Sequence, residues 1–524
     1  MRKVLIPTKL DKVAAEILQK RGYCVIQDSE TDIGALVAQN SDAEAIIVRS
    51  EKVGADLIDA LPQLKTVVRA GAGFNTIDIK YARKKGVDVM NTPGANSNSV
   101  AEEVVAMALA AYRFVVPGDI STRAGGWEKK KFMGHEVTGK TLGIVGLGNI
   151  GQLVVRRFSG FDMKFLGYDP IVSAAKAEEL GVKLASIEEI FRESDIITLH
   201  IPENDETRGM VNARLLSLVK PGVVLINCAR SGIVNEDDLR TAKATKKLIY
   251  CNDVYPKDEA GPKSIADVAD VMLPHLGANT HEANFNAAKR SAEQIIEYFE
   301  NGVTRYIVNK DLPDGLDANY QKLANRLALL ARACLGRKTS VRAVRCSFYG
   351  DLAKFDKWFL PPIAAALSGE TDSSSMGLGP HEAEEYLQQQ GIVVEFREPA
   401  NQKQYGNSMT IDLEGDGGKS SVRGTITENN LLVSRINDFE HLYFMPTAHA
   451  FLAEYWDRPG VLASICTACA KAGLNIEDIH APRDPEGKRA LAILMTDQPV
   501  SQVTVEAVKT VIDPINAFAV ELPQ

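Results

Sequence analysis

The sequence of 524 residues predicts an α/β protein with two parallel-sheet α/β domains, followed by a larger and a smaller α+β module. Three observations predict this order. Short apolar runs alternate with helical stretches in two separate series before residue 310. A polar stretch that carries Pro and Gly, "KDLPDGLDAN" over 310–319, then interrupts the pattern. The last part of the chain, from about residue 448, has the element order βαββαβ.

The first series extends to about Thr92. Its apolar runs "KVLIP", "AIIVRS", "TVVRAG" and "VDVMNT" predict strands of a parallel sheet. The apolar stretch "SNSVAEEVVAMALAAYRFVV" predicts a long helix over 97–116, with polar residues at its start.

The second series begins at Thr141 and predicts a sheet with more strands than the first. Its strand candidates are "TLGIVGL", "KFLGYD", "IITLHIP", "VVLINCA" and "LIYCNDVY". A helix predicted over 282–301 and the strand-like "RYIVN" follow, and we expect them to return the chain to the first domain. The expected domains are therefore 1–95 with 279–313, and 96–278.

Beyond the break, the stretch 320–335 is rich in Ala and Leu and predicts a helix. The runs "VVEF", "SMTIDL" and "SVRGTIT" predict strands. We expect one module over 318–444 and the βαββαβ module over 446–524.

Charge and composition exclude several classes of function. A net charge of -8 and a pI of about 5.7 argue against general nucleic-acid binding, so an anionic ligand needs a local cluster of Arg and Lys. No uninterrupted apolar run is long enough to cross a bilayer, and no membrane association is expected. The seven cysteines are scattered, and the C-x-x-C of "CTAC" lies in a helical pattern without a second Cys or His pair. We therefore expect reduced thiols, a cytoplasmic location and no metal site.

The stretch "TLGIVGLGNIGQLVVRRF" places Gly146, Gly148 and Gly151 between an apolar strand and a helix. The first two glycines permit a tight turn and the close approach of a pyrophosphate, and the third permits close packing of helix and strand. The next predicted strand ends in Asp169, where an acid binds the ribose hydroxyls of NAD and repels the 2′-phosphate of NADP. A structural turn after a buried strand is the alternative. Because strand, helix and acid are all in place, the pattern favours an NAD site.

Reactive residue types follow three later strands of the second series: Arg230, then Asp253 and Asp258, then His275. The ends of such strands line the ligand crevice of an open α/β sheet. An Arg can hold a substrate carboxylate in a bidentate grip, and a protonated His can donate a proton as hydride reaches a 2-keto acid. A carboxylate can fix the tautomer of the His. Taken alone, each residue also has a structural interpretation, as a surface ion pair, a solvated acid or a locally bonded His.

Several stretches resemble the D-2-hydroxyacid dehydrogenase family, and specifically its long members. They are "VRSEKV", "VVRAGAGFNTIDI", "VMNTPGANSNSVAEE", "GGWEKKKFMGHEVTGKTLGIVGLGNIG", "GYDP", "LHIPENDETRG", "NCARSGIVNEDDL" and "PHLGANTHEA". The resemblance spans nearly the whole chain and implies a substrate domain followed by a Rossmann NAD domain. It also implies reversible NAD-dependent oxidation of D-3-phosphoglycerate to 3-phosphohydroxypyruvate, the first step of serine biosynthesis.

The resemblance also implies roles for individual residues. Arg230 would orient the substrate and His275 would be the acid/base. By position Asp258 takes the role of the histidine's partner, where the family usually has Glu, and Glu259 is the alternative. The implied NAD contacts are Gly146, Gly148, Asn149, Ile150, Gly151, Asp169, Ile201, Pro202, Cys228, Ala229, Arg230, Asp253, His275, Gly277 and Ala278.

Basic residues of the first domain are candidates for binding a substrate phosphate. Arg49 and Arg69 follow short strands, and "WEKKKF" adds three lysines. The resemblance implies that the arginines hold the phosphate and that the basic run reaches in from a neighbouring subunit. The implied substrate contacts are Arg49, Ser50, Arg69, Gly71, Asn96, Lys129 and Lys130. The alternative for each basic residue is a solvated surface charge, and for the lysine run alone that interpretation is favoured.

The last module, with "EYWDRPGVLASICTACAKAGLNIEDIHA", resembles an ACT domain, and 318–444 resembles the additional regulatory domain of the long members. The "DRPG" turn offers backbone N–H groups at a helix start to an amino-acid carboxylate. The resemblance implies serine as an allosteric effector, contacted by Asp457, Gly460 and Asn475, and a homodimeric core within a homotetramer. The alternative is that both modules only assemble the oligomer.

Two other functions remain open from the sequence. A reductase of glyoxylate, hydroxypyruvate or another 2-keto acid would share the chemistry, although such enzymes usually end near the linker. An NAD-sensing binding protein on the same fold would not need Arg230, an acid and His275 together.

Overall fold

The computed structural model describes residues 1–204, 206–336, 339–369, 376–397, 406–447 and 449–523. The chain divides into two compact units. The first comprises Met1–Asp169 and Ala174–Lys310, and the second comprises Pro170–Ser173 and Asp311–Gln524.

The first unit begins with a five-stranded parallel sheet. Its strands are β1 (Lys3–Ile6), β2 (Cys24–Gln27), β3 (Ala45–Val48), β4 (Thr66–Arg69) and β5 (Asp88–Asn91). Its helices are α1 (Val13–Lys20), α2 (Ile33–Gln39), α3 (Ala55–Asp59) and α4 (Ile79–Lys84). The strands are ordered β2-β1-β3-β4-β5, and alternate residues of each central strand face separate cores on the two sides of the sheet. The four predicted strands are confirmed, whereas the half-buried β2 was not predicted.

The helix predicted over 97–116 is wrong at its C-terminal end. The structure has two helices, α5 (Ser97–Tyr112) and α6 (Val115–Arg123). Phe114 adopts a left-handed conformation with φ 52°, which breaks the helix before Val115. The apolar sequence continues through this break, so the hydrophobic pattern gave no signal for it.

The second sheet of this unit has seven described strands, all parallel, more than the first sheet, as predicted. They are β6 (Thr141–Val145), β7 (Lys164–Tyr168), β8 (Lys183–Leu184), β9 (Ile196–Leu199), β10 (Val224–Asn227), β11 (Ile249–Asn252) and β12 (Val271–Met272). The helices are α7 (Asn149–Phe158), α8 (Ala174–Glu179), α9 (Ile187–Glu193), α10 (Ala213–Leu218) and α11 (Glu236–Lys246). The order β12-β11-β10-β9-β6-β7-β8 reverses between β6 and β9, which is where an open α/β sheet forms its ligand crevice.

The chain then returns to the first sheet. Helix α12 (His281–Asn301) shares a hydrophobic core with β1, through residues such as Ala288, Ile295 and Val4. The strand-like stretch 305–309 forms no strand. It contributes one isolated antiparallel bridge, from Ile307 to Met90 of β5.

The second unit opens with α13 (Ala318–Leu335), which packs on a mixed six-stranded sheet. The other elements are β13 (Val341–Phe348), α14 (Leu360–Leu367), α15 (Pro380–Gln389), β14 (Val393–Phe396), β15 (Ser408–Gly415), β16 (Gly418–Thr427), β17 (Asn430–Ile436) and β18 (Phe439–Phe444). The strand order is β14-β13-β15-β16-β17-β18. The helix and three of these strands were predicted, and β13, β17 and β18 were not.

The βαββαβ order of the last module is confirmed. Its elements are β19 (His449–Trp456), α16 (Val461–Lys471), β20 (Ile476–His480), β21 (Arg489–Thr496), α17 (Gln502–Ile512) and β22 (Asn516–Glu521). The antiparallel sheet has the order β20-β21-β19-β22, and both helices pack on one of its faces. Cys466 and Cys469 lie in α16 as free thiols. Among the described residues, none of the helices combines the length and apolar character needed to cross a membrane.

Candidate active site

The Gly-rich turn between β6 and α7 is shaped by two close approaches. Gly146 has φ 100°, and a Cβ there would lie 2.6 Å from the carbonyl oxygen of His200. A Cβ at Gly151 would lie 2.0 Å from the carbonyl oxygen of Gly146. Gly148, the N-cap residue of α7, has no atom within 4 Å of its Cβ position. The turn therefore combines a helix N-terminus with open space, an arrangement that fits a pyrophosphate.

Asp169 directly follows β7 and is anchored to this turn. Its Oδ2 accepts a hydrogen bond of 2.7 Å from the backbone N–H of Leu147. A carboxylate has about four lone-pair sites. The acid can therefore hold the turn and still accept hydrogen bonds from the ribose hydroxyls of NAD, which is the role its position in the sequence predicts.

Two buried asparagines that the sequence analysis missed shape the next two strand ends. Asn227 and Asn252 are the last residues of β10 and β11 and pair with each other in register. Asn227 accepts from the N–H of Ala229 (3.1 Å) and donates to the carbonyl oxygen of Arg230 (3.0 Å). Asn252 donates to the carbonyl oxygen of Val254 (2.7 Å). An Asn that closes an apolar strand was the signal available in "LIN" and "YCN".

Asp253, which follows β11, is 1% exposed and holds the loop that carries the candidate acid/base. Its Oδ1 accepts from the N–H of Leu276 (2.7 Å) and its Oδ2 from the N–H of Gly277 (2.9 Å). His275, the residue that precedes Leu276, has φ 57°. Asp253 therefore stabilises a conformation that residues other than Gly rarely adopt.

The His275 ring is paired with Asp258. Its Nδ1 lies 2.7 Å from Oδ2 of Asp258, and the two side chains are 45% and 58% exposed. A carboxylate at Nδ1 fixes that nitrogen as the donor and leaves Nε2 to exchange a proton with a ligand. Glu259, the alternative partner, accepts a hydrogen bond from Lys263 through its backbone carbonyl oxygen.

Arg230 is exposed at the end of β10, on the same edge of the sheet. Its Nη1 donates to the carbonyl oxygen of Ala229 (2.7 Å), one of the five N–H donors that a guanidinium carries. Glu203, which the sequence analysis missed, accepts from the N–H of Gly232 (3.1 Å) and pairs with Arg208 (2.6 Å). Glu203 thus holds the turn that follows Arg230.

The other predicted NAD contacts lie at the same edge, because they follow or cap parallel strands of one sheet. Ile201, Cys228, Ala229 and Gly277 are buried, and Pro202 and Asn149 are exposed. Ile150 and Ala278 are partly exposed. The edge therefore offers apolar surface as well as hydrogen-bonding groups, as a dinucleotide requires.

The first sheet brings two arginines together. Arg49 follows β3 and Arg69 ends β4, and Nε of Arg69 donates to the carbonyl oxygen of Arg49 (3.0 Å). Burial, and then the charge of Arg49, lower the pKa of Arg69. Gly71 has φ 148°, and a Cβ there would lie 1.5 Å from Nη1 of Arg69. Only Gly leaves the Arg69 guanidinium in this place.

The remaining predicted substrate contacts lie in three places. The backbone N–H of Ser50 donates to Glu51 (3.1 Å), and Asn96 is the N-cap residue of α5. Lys129 and Lys130 lie in an exposed segment after α6, where Nζ of Lys129 is 5.4 Å from the centre of the Trp127 ring.

The predicted effector residues belong to the second unit. Gly460 has φ 87° and precedes α16, and Oδ2 of Asp457 pairs with Nε of Arg483 (2.5 Å). The backbone N–H of Asn475 donates to Asp497 (2.9 Å). Across the parts of the chain that the structure describes, no group of three or more His, Cys, Asp or Glu residues could hold a metal ion.

The chain is similar to several known proteins. Residues 105–277 match the NAD binding domain of the D-isomer specific 2-hydroxyacid dehydrogenases, and residues 455–513 match the ACT domain. The D-3-phosphoglycerate dehydrogenase of Archaeoglobus fulgidus is 32% identical over 521 residues, which cover 97% of this chain and 98% of that protein. That of Methanocaldococcus jannaschii is 32% identical over 528 residues and 98% of each chain.

A solved structure shares the fold over part of this chain. The apo-structure of D-lactate dehydrogenase from Escherichia coli aligns with a TM-score of 0.51 and 25% identity, over 58% of this chain and 98% of that one. The cofactor is NAD, and the fold is that of an NAD-dependent oxidoreductase that carries an ACT domain. Because it is similar to these relatives over nearly the whole chain and matches both domains, the chain belongs to the D-3-phosphoglycerate dehydrogenase family.

Proposed function

We propose that this chain catalyses the reversible oxidation of D-3-phosphoglycerate to 3-phosphohydroxypyruvate, the first step of serine biosynthesis. The observation that carries the proposal is the His275–Asp258 pair, at 2.7 Å, on the sheet edge that also presents Arg230. The relatives that match nearly the whole chain support the choice of substrate.

In this proposal each residue at the edge has one task. The Gly-rich turn and Asp169 would hold NAD⁺, which would supply the acceptor for the hydride that leaves C2 of the substrate. Nε2 of His275 takes the hydroxyl proton as the C2–H bond breaks, so that the alcohol becomes a ketone. Asp258 accepts a hydrogen bond from Nδ1–H of His275 and stabilises the imidazolium that forms. Arg230 holds the substrate carboxylate and polarises the C2 oxygen. Binding of the carboxylate also positions the C2 oxygen relative to Nε2 of His275.

The phosphate is assigned to the arginine pair of the first sheet. Glu51 is the acid that lies near Arg49 and Arg69. Its carboxylate already accepts a hydrogen bond from the backbone N–H of Arg49 (2.8 Å). A dianion between two guanidinium groups would offset their mutual repulsion. Lys129 and Lys130 would add to this field from a second copy of the chain.

The test compares substrates. Purified protein is assayed for NADH oxidation with 3-phosphohydroxypyruvate, hydroxypyruvate, glyoxylate and 2-oxoglutarate. We expect kcat/KM to be highest for the phosphorylated substrate. Preference for an unphosphorylated acid would indicate that Arg49 and Arg69 have only a structural role. A protein that binds NADH but reduces none of the substrates would favour an NAD-sensing function.

We also propose serine as an effector of the ACT domain, through Asp457, Gly460 and Asn475. The N-terminus of α16 supports this, because its free N–H groups suit an amino-acid carboxylate. Serine at millimolar concentration is expected to lower turnover of the wild type but not of Asn475→Ala. Unchanged turnover of the wild type would favour a purely assembling module.

We further propose a homodimeric core within a homotetramer, in the cytoplasm. Exposed apolar side chains on α6 and the segment after it support pairing: Val115, Ile120, Trp127 and Met133. The seven free cysteines support a reducing compartment. Light scattering of the purified protein should give four times the chain mass, and a monomer would contradict the proposal.

A further inference from the structure

A partly buried carboxyl group on α5 lies beside the loops that follow β10 and β11. Glu103 is within hydrogen-bonding reach of Asp253, after β11, and of Cys228, after β10. A Cβ at Gly277 would lie 3.1 Å from Oε2 of Glu103 and 3.3 Å from Oδ2 of Asp253. The carboxyl group of Glu103 on α5 and that of Asp253 after β11 therefore both lie next to Gly277.

The hydrogen bonds around this pair are incomplete unless a proton is added. Oε2 of Glu103 is enclosed and has no donor among the described residues. Both oxygens of Asp253 already accept backbone N–H groups, so Asp253 acts here as a hydrogen-bond acceptor. A buried oxygen beside a carboxylate is satisfied when it carries a hydrogen and donates it.

The surroundings of Glu103 favour the neutral acid. Burial, and then the charge of Asp253, raise the pKa of Glu103 to about 8. Burial raises the pKa of the Cys228 thiol well above its usual value, so the third group of this cluster is also neutral. Asp253 is the only charged group among the described neighbours that act on Glu103.

We propose that Glu103 is a positioning residue that remains a neutral carboxylic acid and donates a hydrogen bond to Asp253. Asp253 in turn holds the N–H groups of Leu276 and Gly277, which fix His275 in its left-handed conformation. The inference deepens the proposed function, since it concerns the same His275, but it does not depend on which 2-hydroxy acid is the substrate.

Three variants separate this role from simple packing. Glu103→Gln keeps an N–H donor of similar size without the titrating proton, and Glu103→Ala removes the donor. Glu102→Gln is the matched control, because Glu102 is the preceding residue of the same helix and is exposed. The first readout is the thermal unfolding midpoint of the ligand-free protein between pH 5 and pH 9.

The direction of the pH effect follows from the two states. An unfolded chain releases the Glu103 proton near pH ~4.3, whereas the folded chain keeps it to a much higher pH. The wild type therefore loses stability relative to Glu103→Gln as the pH rises. We expect the midpoint of Glu103→Gln minus that of the wild type to grow from pH 5 to pH 8 and then level off. The difference for Glu102→Gln should stay flat.

The second readout is activity at pH 7. Glu103→Gln should keep kcat/KM within about threefold of the wild type, and Glu103→Ala should lose about tenfold or more, as is usual for supporting hydrogen-bond partners. A flat midpoint difference for Glu103→Gln would overturn the proposal. So would a Gln variant as impaired as the Ala variant. Because unfolding of the ligand-free protein involves no substrate, these failures are distinct from a wrong substrate.

Discussion

The strand ends of the two parallel sheets of the first unit carry different sets of charged groups. In the first sheet, β3 and β4 lead into Arg49 and Arg69, and burial, followed by the charge of Arg49, lowers the pKa of the Arg69 guanidinium. In the second sheet, the strand ends and the loops after them carry acids, among them Asp169, Asp253 and Asp258. One sheet thus provides a pair of arginines, and the other provides anchored carboxylates and a histidine together with Arg230.

This difference shows how an acidic chain can act on a highly anionic substrate. A phosphate is repelled by the acids of the second sheet, except at the N-terminus of α7. The first sheet supplies the local positive field that the net charge of -8 opposes. We therefore assign recognition of the phosphate to the first sheet and proton transfer to the second. The predictions below test that division.

The largest effect is expected at the proton-transferring residue. His275→Gln should lower kcat by about 10³-fold, because general acid–base catalysis contributes roughly 10²–10⁴-fold. The Kd for NADH, measured by fluorescence, should change by less than about threefold, since binding at the Gly-rich turn is intact. His281→Gln, an exposed site in α12, is the control and should behave as the wild type. A normal kcat for His275→Gln would show that His275 does not transfer the proton.

A smaller loss is expected when the partner of His275 is changed. Asp258→Asn should lower kcat by about tenfold to hundredfold, because an amide neither fixes the tautomer nor stabilises the imidazolium. Asp258→Glu should recover most of the rate, since it keeps the charge. Glu259→Ala should remain within about twofold of the wild type. If Glu259→Ala instead shows the larger loss, the partner is Glu259.

A still smaller effect tests the first sheet. In Gly71→Ala the new methyl group occupies the position of Nη1 of Arg69 and must displace it. The KM for 3-phosphohydroxypyruvate should rise about tenfold, the scale of one weakened charge-assisted hydrogen bond. Gly22→Ala is the control for backbone strain, because Gly22 has φ 84° and no atom within 4 Å of its Cβ position. An equal rise in both variants would show that strain, and not Arg69, is the cause.

The sequence predicted the parts of the fold that follow from local patterns. Apolar runs bounded by turns gave most strands of both parallel sheets, and the Gly-rich turn followed by Asp169 gave the cofactor site. Strands β13 and β17 escaped because charged or polar residues interrupt them, as in "VRAVRCSF". The break between α5 and α6 at the left-handed Phe114 was not predicted, because nothing in the apolar sequence around it indicates a break.

The supporting residues of the site were the hardest to predict. Glu102 and Glu103 are adjacent acids on α5, and only the packed structure shows that the first faces solvent and the second faces Asp253. Asn227, Asn252 and Glu203 hold backbone groups at strand ends, and only the packed structure shows which groups each one holds. The reactive side chains are visible in a sequence, whereas the hydrogen bonds that orient them depend on long-range contacts.

The most direct measurement compares two substrates that differ only in the phosphate. The kcat/KM values for 3-phosphohydroxypyruvate and hydroxypyruvate are determined for the wild type and for Arg69→Ala. Removal of a partly buried charged partner costs about 2–5 kcal/mol, so the wild-type preference for the phosphorylated substrate should fall by about a hundredfold. Activity with hydroxypyruvate should change little. An equal loss with both substrates would contradict the division of tasks between the two sheets.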